Sequence, residues 1–127
     1  MEKITNYRTE RSKTSRSKYG NRKCVLDGIS FDSVKEMNRY CDLKYMLLAG
    51  EIKDLEVHKP FELQEAFRDM NGKWIRPIYY EADFVYTDVK TGQQVIEDVK
   101  SKATAANQVY ELKKKMMLYK GLEIIEV

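Results

Sequence analysis

Histidine and cysteine are scarce in this chain of 127 residues, which contains one histidine and two cysteines. The single histidine, His58, excludes zincin proteases and HNH-type nucleases, because both classes need more than one histidine. Cys24 and Cys41 lack CxxC spacing, so they predict neither a zinc site nor a disulfide framework. We therefore expect a protein of a reducing compartment, with the cytoplasm as the default localisation.

Long hydrophobic runs are also missing. No segment approaches the roughly 18 consecutive apolar residues of a membrane span, and the N-terminal sequence MEKITNYRTERSK has no apolar core of a secretory signal. The chain is instead 43% hydrophobic and 34% charged, which is typical of one globular domain with a charged surface. We expect that domain at residues 21–127, with no membrane association.

Positive charge is concentrated near the N-terminus. Residues 1–23 hold eight basic and two acidic side chains, a net charge of +6, whereas the whole chain carries +3. The basic residues are Lys3, Arg8, Arg11, Lys13, Arg16, Lys18, Arg22 and Lys23. Because few aliphatic residues accompany them, we predict that residues 1–20 form a flexible arm. The cations from Arg8 to Lys23 suit DNA phosphates, although the same composition would also serve as a solubilising tail.

Turn and helix signals in the remaining sequence predict an α/β fold. Asp27-Gly28 predicts a β-hairpin, and Ser33-x-x-Glu36 is a capping box that begins a helix ending at Gly50. Thr104 and Gly121 mark the ends of a second helix. The predicted strands are 52–57, 61–67 (separated from the former at Pro60), 74–86, 94–100 and 122–127. This order predicts a single mixed β-sheet with helices packed on it, preceded by the hairpin and the arm.

Helical spacing predicts the buried face of each helix. In the first helix the apolar positions are Val34, Met37, Cys41, Tyr45 and Leu48, and Tyr40 and Leu47 widen this face. In the second they are Val109, Leu112, Met116 and Tyr119. Glu36 falls at the margin of the first face, and the capping box alone explains its presence.

The most informative residues are acids inside apolar strands. Asp83 lies in Tyr80-Glu81-Ala82-Asp83-Phe84-Val85-Tyr86, and Asp98 in Val95-Ile96-Glu97-Asp98-Val99-Lys100. If the two strands are neighbours, the carboxylates approach each other, and they repel unless a cation lies between them. Such oxygen ligands suit Mg²⁺ or Mn²⁺. Residues two apart in a strand share a face, so Lys100 lies beside Asp98, where it could orient a water molecule.

This pattern resembles the PD-(D/E)XK nuclease motif, with Asp83 as the first acid and Asp98-Val99-Lys100 as the (D/E)XK element. The element order likewise resembles the αβββαβ core of that restriction-endonuclease-like superfamily. Over residues 18–127 the chain is similar to a family of small phage and prophage proteins placed in it, through the runs Lys18-Tyr19-Gly20-Asn21, Asp27-Gly28-Ile29, Phe31-Asp32-Ser33 and Ala82-Asp83-Phe84. Ala82 replaces the proline of the motif, which is not a ligand.

The resemblance implies a metal-dependent endonuclease that hydrolyses DNA phosphodiester bonds. It assigns the carboxylates of Asp83, Asp98 and Glu36 and the carbonyl of Val99 to Mg²⁺, for which Mn²⁺ may substitute, and gives Lys100 the positioning of the attacking water. No other small-molecule cofactor is implied. By analogy the substrate would be a Holliday junction or other branched DNA, and cutting both of its strands would favour a homodimer. The alternatives are a nicking or end-processing nuclease of recombination or transposition and a DNA-binding module that does not cut.

Several residues keep a second interpretation at this stage. Asp98 and Lys100 would also fit an ion pair on a solvated strand face, and Glu97 becomes a ligand only if a bulge turns it round. Lys113 would reach a substrate phosphate or lie on a solvated helix face. A lone histidine such as His58 is expected to be structural or exposed.

Overall fold

The computed structural model describes residues 4–8, 23–100 and 107–127. It contains two helices, α1 (Val34–Leu48) and α2 (Gln108–Tyr119). The strands are β1 (Thr5–Asn6), β2 (Cys24–Leu26), β3 (Ile29–Phe31), β4 (Ile52–Gln64), β5 (Phe67–Arg68), β6 (Trp74–Ile75), β7 (Ile78–Asp88), β8 (Gln94–Asp98) and β9 (Ile124–Glu126). The predicted α/β class is therefore confirmed.

One five-stranded sheet forms the centre of the fold, in the order β1-β4-β7-β8-β9. β7 is antiparallel to both of its neighbours, β4 and β8. At the two edges of the sheet, β1 is parallel to β4, and β9 is parallel to β8. The sheet is thus mixed, as predicted. Because β8 and β9 are parallel, the chain must cross over between them, and α2 lies in that connection.

The predicted hairpin turn, the predicted start of α1 and the glycines after both helices are confirmed. Asp27 and Gly28 both have positive φ, at 53° and 74°, as a tight turn between β2 and β3 requires. The Ser33 side chain accepts a hydrogen bond from the Glu36 amide at the start of α1. In α2 the cap is Asn107, whose side chain accepts from the amides of Val109 and Tyr110; Thr104 lies outside the described residues.

The predicted inner faces of both helices are confirmed only in part, at Tyr40 and Leu47 of α1 and at the partly buried Met37 and Met116. The residues that α1 buries are Glu36, Tyr40, Leu43 and Leu47, whereas Val34, Tyr45 and Leu48 are exposed. Those that α2 buries are Tyr110 and Met117, whereas Val109, Leu112 and Tyr119 are exposed. Spacings of three and four residues fit both faces of α1, and an acidic residue at position 36 made the correct face look polar.

Two prolines change the predicted strands. Pro60 does not separate two strands but lies inside β4, where it is paired with Glu81 of β7. On the opposite side of β4, β1 pairs only with Glu56 and Val57, so Pro60 needs no amide hydrogen there. Pro77, by contrast, lies in the break between β6 and β7, so the predicted strand 74–86 is two strands.

Part of the predicted arm belongs to the sheet. Thr5–Asn6 pair with β4, and the phenol of Tyr7 donates a 2.6 Å hydrogen bond to Glu56. Residues 4–8 are therefore not a free chain, and the remainder of the arm falls outside the described residues.

Two buried clusters hold the sheet between the helices. The α1 cluster includes Phe31, Tyr40, Val57 and Phe84, and the α2 cluster includes Leu63, Tyr80, Ala82 and Met117. Residues two apart in a regular strand share a face, yet Ala82 and Phe84 belong to different clusters. Val57 and Leu63 show the same change in β4, so the side-chain alternation shifts in both strands near His58 and Asp83.

Candidate active site

The β7–β8 pairing brings Asp83 and Asp98 together. Phe84 is the register partner of Glu97, which places the residues next to them, Asp83 and Asp98, at the same end of the two strands. The Asp83 Oδ2 accepts a 2.8 Å hydrogen bond from the Val99 amide, and the Asp98 carboxyl is near enough to raise the pKa of Asp83. The predicted approach of these two carboxylates is present in the structure.

Asp98 is fixed through both of its oxygens. The Tyr80 hydroxyl donates to Oδ2 at 2.6 Å, and Lys100 Nζ lies 3.0 Å from Oδ1. Only 7% of Asp98 is exposed, so this ion pair is not the solvated surface pair considered above. The Lys100 ammonium also lies 3.3 Å from the centre of the Tyr110 ring, which holds its position by a cation–π contact.

Glu36 is buried and contacts the histidine. Its Oε1 lies 2.8 Å from His58 Nε2, and only 4% of the residue is exposed. The Glu36 side chain therefore contacts His58 of β4, whereas its backbone amide donates a hydrogen bond to Ser33 Oγ. Glu36 therefore has two roles: its amide is capped by Ser33, and its carboxylate belongs with Asp83 and Asp98 to a group that we call the acidic cluster.

The acidic cluster strongly affects the protonation of Asp83. Burial, and then the negative charges of Glu36 and Asp98, raise the pKa of Asp83 to about 8, against the opposing hydrogen bond from the Val99 amide. The proton keeps two adjacent carboxylates from both being charged. Burial and the neighbouring Asp98 carboxylate also raise the pKa of Tyr80, so its hydroxyl remains a donor.

This raised pKa predicts a pH-dependent stability in metal-free solution. Since the folded pKa of Asp83 is about 8 and its unfolded value is near 4, the folded state binds more protons between these values. The free energy of unfolding should fall as pH rises through that window, by up to about 1.4 kcal/mol per pH unit. Urea unfolding at several pH values between 5.5 and 8.5, with EDTA present, measures it. The Asp83→Asn variant should lack this component, and an equal slope in that variant would contradict the assignment.

Glu97 faces away from this cluster, as the strand alternation predicts. Its carboxylate accepts hydrogen bonds from Arg39 at 2.8 and 2.7 Å and from the Tyr86 hydroxyl. The residue is only 2% exposed. Glu97 therefore ties β8 to α1 and is not a candidate ligand.

The basic residues expected to contact DNA differ in their surroundings. Arg8 lies 2.6 Å from Glu81 and 3.0 Å from Asp32, so it fastens the N-terminal segment to the domain. Glu81 is thereby a partner of Arg8. Lys23 is exposed before β2, and Lys113 is partly buried on α2. Outside the described residues lie Arg11, Lys13, Arg16, Lys18 and Arg22.

The acids of the site bear on whether Mg²⁺ can bind there. Among residues 4–8, 23–100 and 107–127, no group of three or more His, Cys, Asp or Glu side chains is placed to hold a metal ion. However, Mg²⁺ is commonly bound through one or two carboxylates and several waters. The carboxyls of Asp83 and Asp98, at the same end of two paired strands, supply that chemistry. The residues therefore fit Mg²⁺ as a partly hydrated ion.

Three residues that shape the site, His58, Tyr80 and Tyr110, carry no local sequence signal of their role. The position of Tyr80 three residues before Asp83 does not indicate its hydrogen bond to Asp98. Tyr110 was overlooked because Val109 was placed on the inner face of α2. The contact of His58 with Glu36 joins residues 22 positions apart, which no local pattern reveals.

Within the part of the chain that the structure describes, neither helix is long and apolar enough to cross a membrane.

Comparison with known proteins gives one family. No curated protein and no solved structure matches the chain. The family described as "Protein of unknown function (DUF1064)" matches residues 16–126, which span both helices and the strands from β2 to β9. That match covers most of the chain and includes every residue of the acidic cluster. The chain therefore belongs to the DUF1064 family.

Proposed function

We propose that this protein is a metal-dependent endonuclease that hydrolyses DNA phosphodiester bonds. One observation carries the proposal: the pairing of β7 with β8 brings Asp83 and Asp98 together in a partly buried site where Lys100 contacts Asp98. Glu36 lies near enough for its charge to raise the pKa of Asp83. Placing two buried acids and one partly buried acid close together is costly, and a bound divalent cation would offset their repulsion.

The topology supports the same proposal. Apart from the inserted hairpin of β5 and β6, the elements from α1 onward follow the order α1, β4, β7, β8, α2, β9. This order agrees with the αβββαβ core that the resemblance implies, and it supports the proposal. In addition, Asp83 lies on β7, and Asp98 ends the adjacent strand β8, with Val99 and Lys100 directly after it.

In this proposal the acids hold the metal and the lysine handles the water. Asp83, Asp98 and Glu36, with the Val99 carbonyl, would bind Mg²⁺, which supplies Lewis acidity and lowers the pKa of a bound water. Tyr80 keeps the Asp98 carboxylate oriented through Oδ2. The Val99 amide donates a hydrogen bond to Asp83 and so orients the Asp83 carboxyl.

Lys100 is the group that would meet the attacking water and the phosphate. Its Nζ is anchored by Asp98 Oδ1 and by the Tyr110 ring, and its side chain is 15% exposed. An ammonium held there can orient a water by hydrogen bonding and can stabilise negative charge as it develops on the phosphate. A mobile lysine on an open surface would do neither as well.

DNA is the proposed substrate because the basic residues near the N-terminus suit its phosphates. Arg8 is engaged with Glu81 and Asp32, which leaves this role to Lys23, to Lys113 and to the cations outside the described residues. The preference for branched DNA and the homodimer rest on the resemblance.

The proposal is tested by incubating the protein with labelled linear, nicked and four-way-junction DNA, each with Mg²⁺, with Mn²⁺ or with EDTA. We expect cleavage of at least one substrate that requires a divalent cation. An RNA duplex and single strand of the same sequence provide the comparison of substrates. Binding without cleavage under every metal condition would instead favour a DNA-binding module that does not cut.

A further inference from the structure

His58 has an unusual backbone conformation at the centre of the sheet. Its φ is 57°, in the left-handed region that a residue with a bulky side chain rarely adopts. The pairs Val57–Phe84 and Lys59–Ala82 flank it, so His58 lies opposite Asp83. The side-chain alternation of both strands also shifts at this level. Such a conformation costs free energy, and it persists where the surrounding structure holds it.

The surroundings of His58 turn its imidazole toward the acidic cluster. The residue is 1% exposed, and the Phe31 ring packs 5.9 Å from its own. Nε2 lies 2.8 Å from Glu36 Oε1, and Nδ1 lies 3.4 Å from the Asn6 side-chain oxygen. The imidazole thus connects Asn6 of β1 with Glu36 of α1.

From this geometry we infer that His58 is a positioning residue that holds the Glu36 carboxylate in place for metal binding, an inference that rests on the proposed function. Glu36 belongs to a helix, and its flexible side chain would otherwise have several rotamers. His58 engages Oε1, and the Glu36 charge raises the pKa of Asp83, so the carboxylate that His58 holds lies near the two strand acids. Partners of this kind, which orient a metal ligand, commonly change metal affinity by about 10- to 100-fold.

The N-terminal strand takes part in this arrangement. Asn6 contacts the far nitrogen of His58, and its position is fixed by the pairing of β1 with β4. Tyr7 and Arg8 hold the same segment through Glu56, Glu81 and Asp32. The support for Glu36 therefore extends from a segment that the sequence predicted to be flexible.

The test is calorimetric titration of the protein with Mn²⁺, without DNA, so that activity is not the readout. His58→Asn suits a positive φ but is too short to reach Glu36, whereas His58→Gln places its amide nitrogen near the position of Nε2. We expect His58→Asn to weaken Mn²⁺ binding by about tenfold or more and His58→Gln to keep most of the affinity. In a Glu36→Gln background, His58→Asn should cause no further loss, because its effect acts through Glu36.

Each other result has a defined meaning. Wild-type affinity in His58→Asn, or losses that add in the double variant, would overturn the inference while leaving the proposed function intact. No Mn²⁺ uptake by the wild type would overturn the proposed function and this inference together. Urea unfolding verifies that each variant is folded, and His58→Gly, which also tolerates a positive φ, replaces His58→Asn if that variant does not fold.

Discussion

Replacing Asp83 by asparagine should make the metal-free protein more stable at pH 8 and abolish metal-dependent cleavage. The two effects have one origin, since burial, and then the charges of Glu36 and Asp98, raise the pKa of Asp83 to about 8. A neutral amide removes the repulsion, and its oxygen still accepts from the Val99 amide. It is also a poor ligand for Mg²⁺, so we expect cleavage to fall by on the order of 1,000-fold.

Glu81→Gln provides the matched control for this substitution. Glu81 is two residues from Asp83 on the same strand, but it is exposed and bonded to Arg8. We expect Glu81→Gln to retain cleavage and to leave stability at pH 8 nearly unchanged, because exposed ion pairs contribute little. Cleavage by Asp83→Asn at the wild-type rate would refute the assignment of the site. Lower stability of Asp83→Asn at pH 8 would show that the carboxylates do not repel in the folded protein.

The largest loss of stability is expected from Arg39→Ala. Arg39 makes two hydrogen bonds to the Glu97 carboxylate, which is almost fully buried between β8 and α1. Without the guanidinium, a buried carboxylate keeps only the Tyr86 hydroxyl as a partner. Removing one member of a buried ion pair typically costs about 3–5 kcal/mol. Urea or thermal unfolding measures this loss, which should lower the melting temperature by about 10 °C or more.

Two comparisons identify the cause of that loss. Lys44→Ala breaks an ion pair of similar length with Asp27, but both partners are about 40% exposed, and the cost should stay below about 1 kcal/mol. Adding Glu97→Gln to Arg39→Ala should recover part of the stability, because the unpaired charge is removed. If Arg39→Ala and Lys44→Ala cost the same, the Arg39–Glu97 pair does not connect the helix to the sheet as described.

The sequence predicted the features that depend on neighbours in the chain. Ser33 and Gly50 mark the ends of α1 because caps use local hydrogen bonds and local φ angles. Asp27-Gly28 predicted the hairpin for the same reason. The meeting of Asp83 with Asp98 was also predictable, since both lie in adjacent strands joined by a short turn.

Features that depend on distant contacts were not predictable. The burial of Glu36 depends on His58 from another element, and the left-handed φ of His58 has no sequence signal in a strand. The inner face of α2 was misplaced because Tyr110 reaches Glu126 and Lys100 only after β9 has joined the sheet. A polar residue whose hydrogen-bond partners are distant in the chain is expected to be exposed when only its sequence neighbours are known.

Pro60 lies in β4 beyond the residues that pair with the described part of β1. From Val57 onward, β4 pairs with β7 on one side, and the described part of β1 does not extend along its other side. An open strand edge of this kind is a template on which a second molecule can add a strand and begin aggregation. A proline offers no amide for such a bond, so it interrupts any ladder that grows along this edge. We therefore expect Pro60 to protect the protein from edge-to-edge aggregation at high concentration.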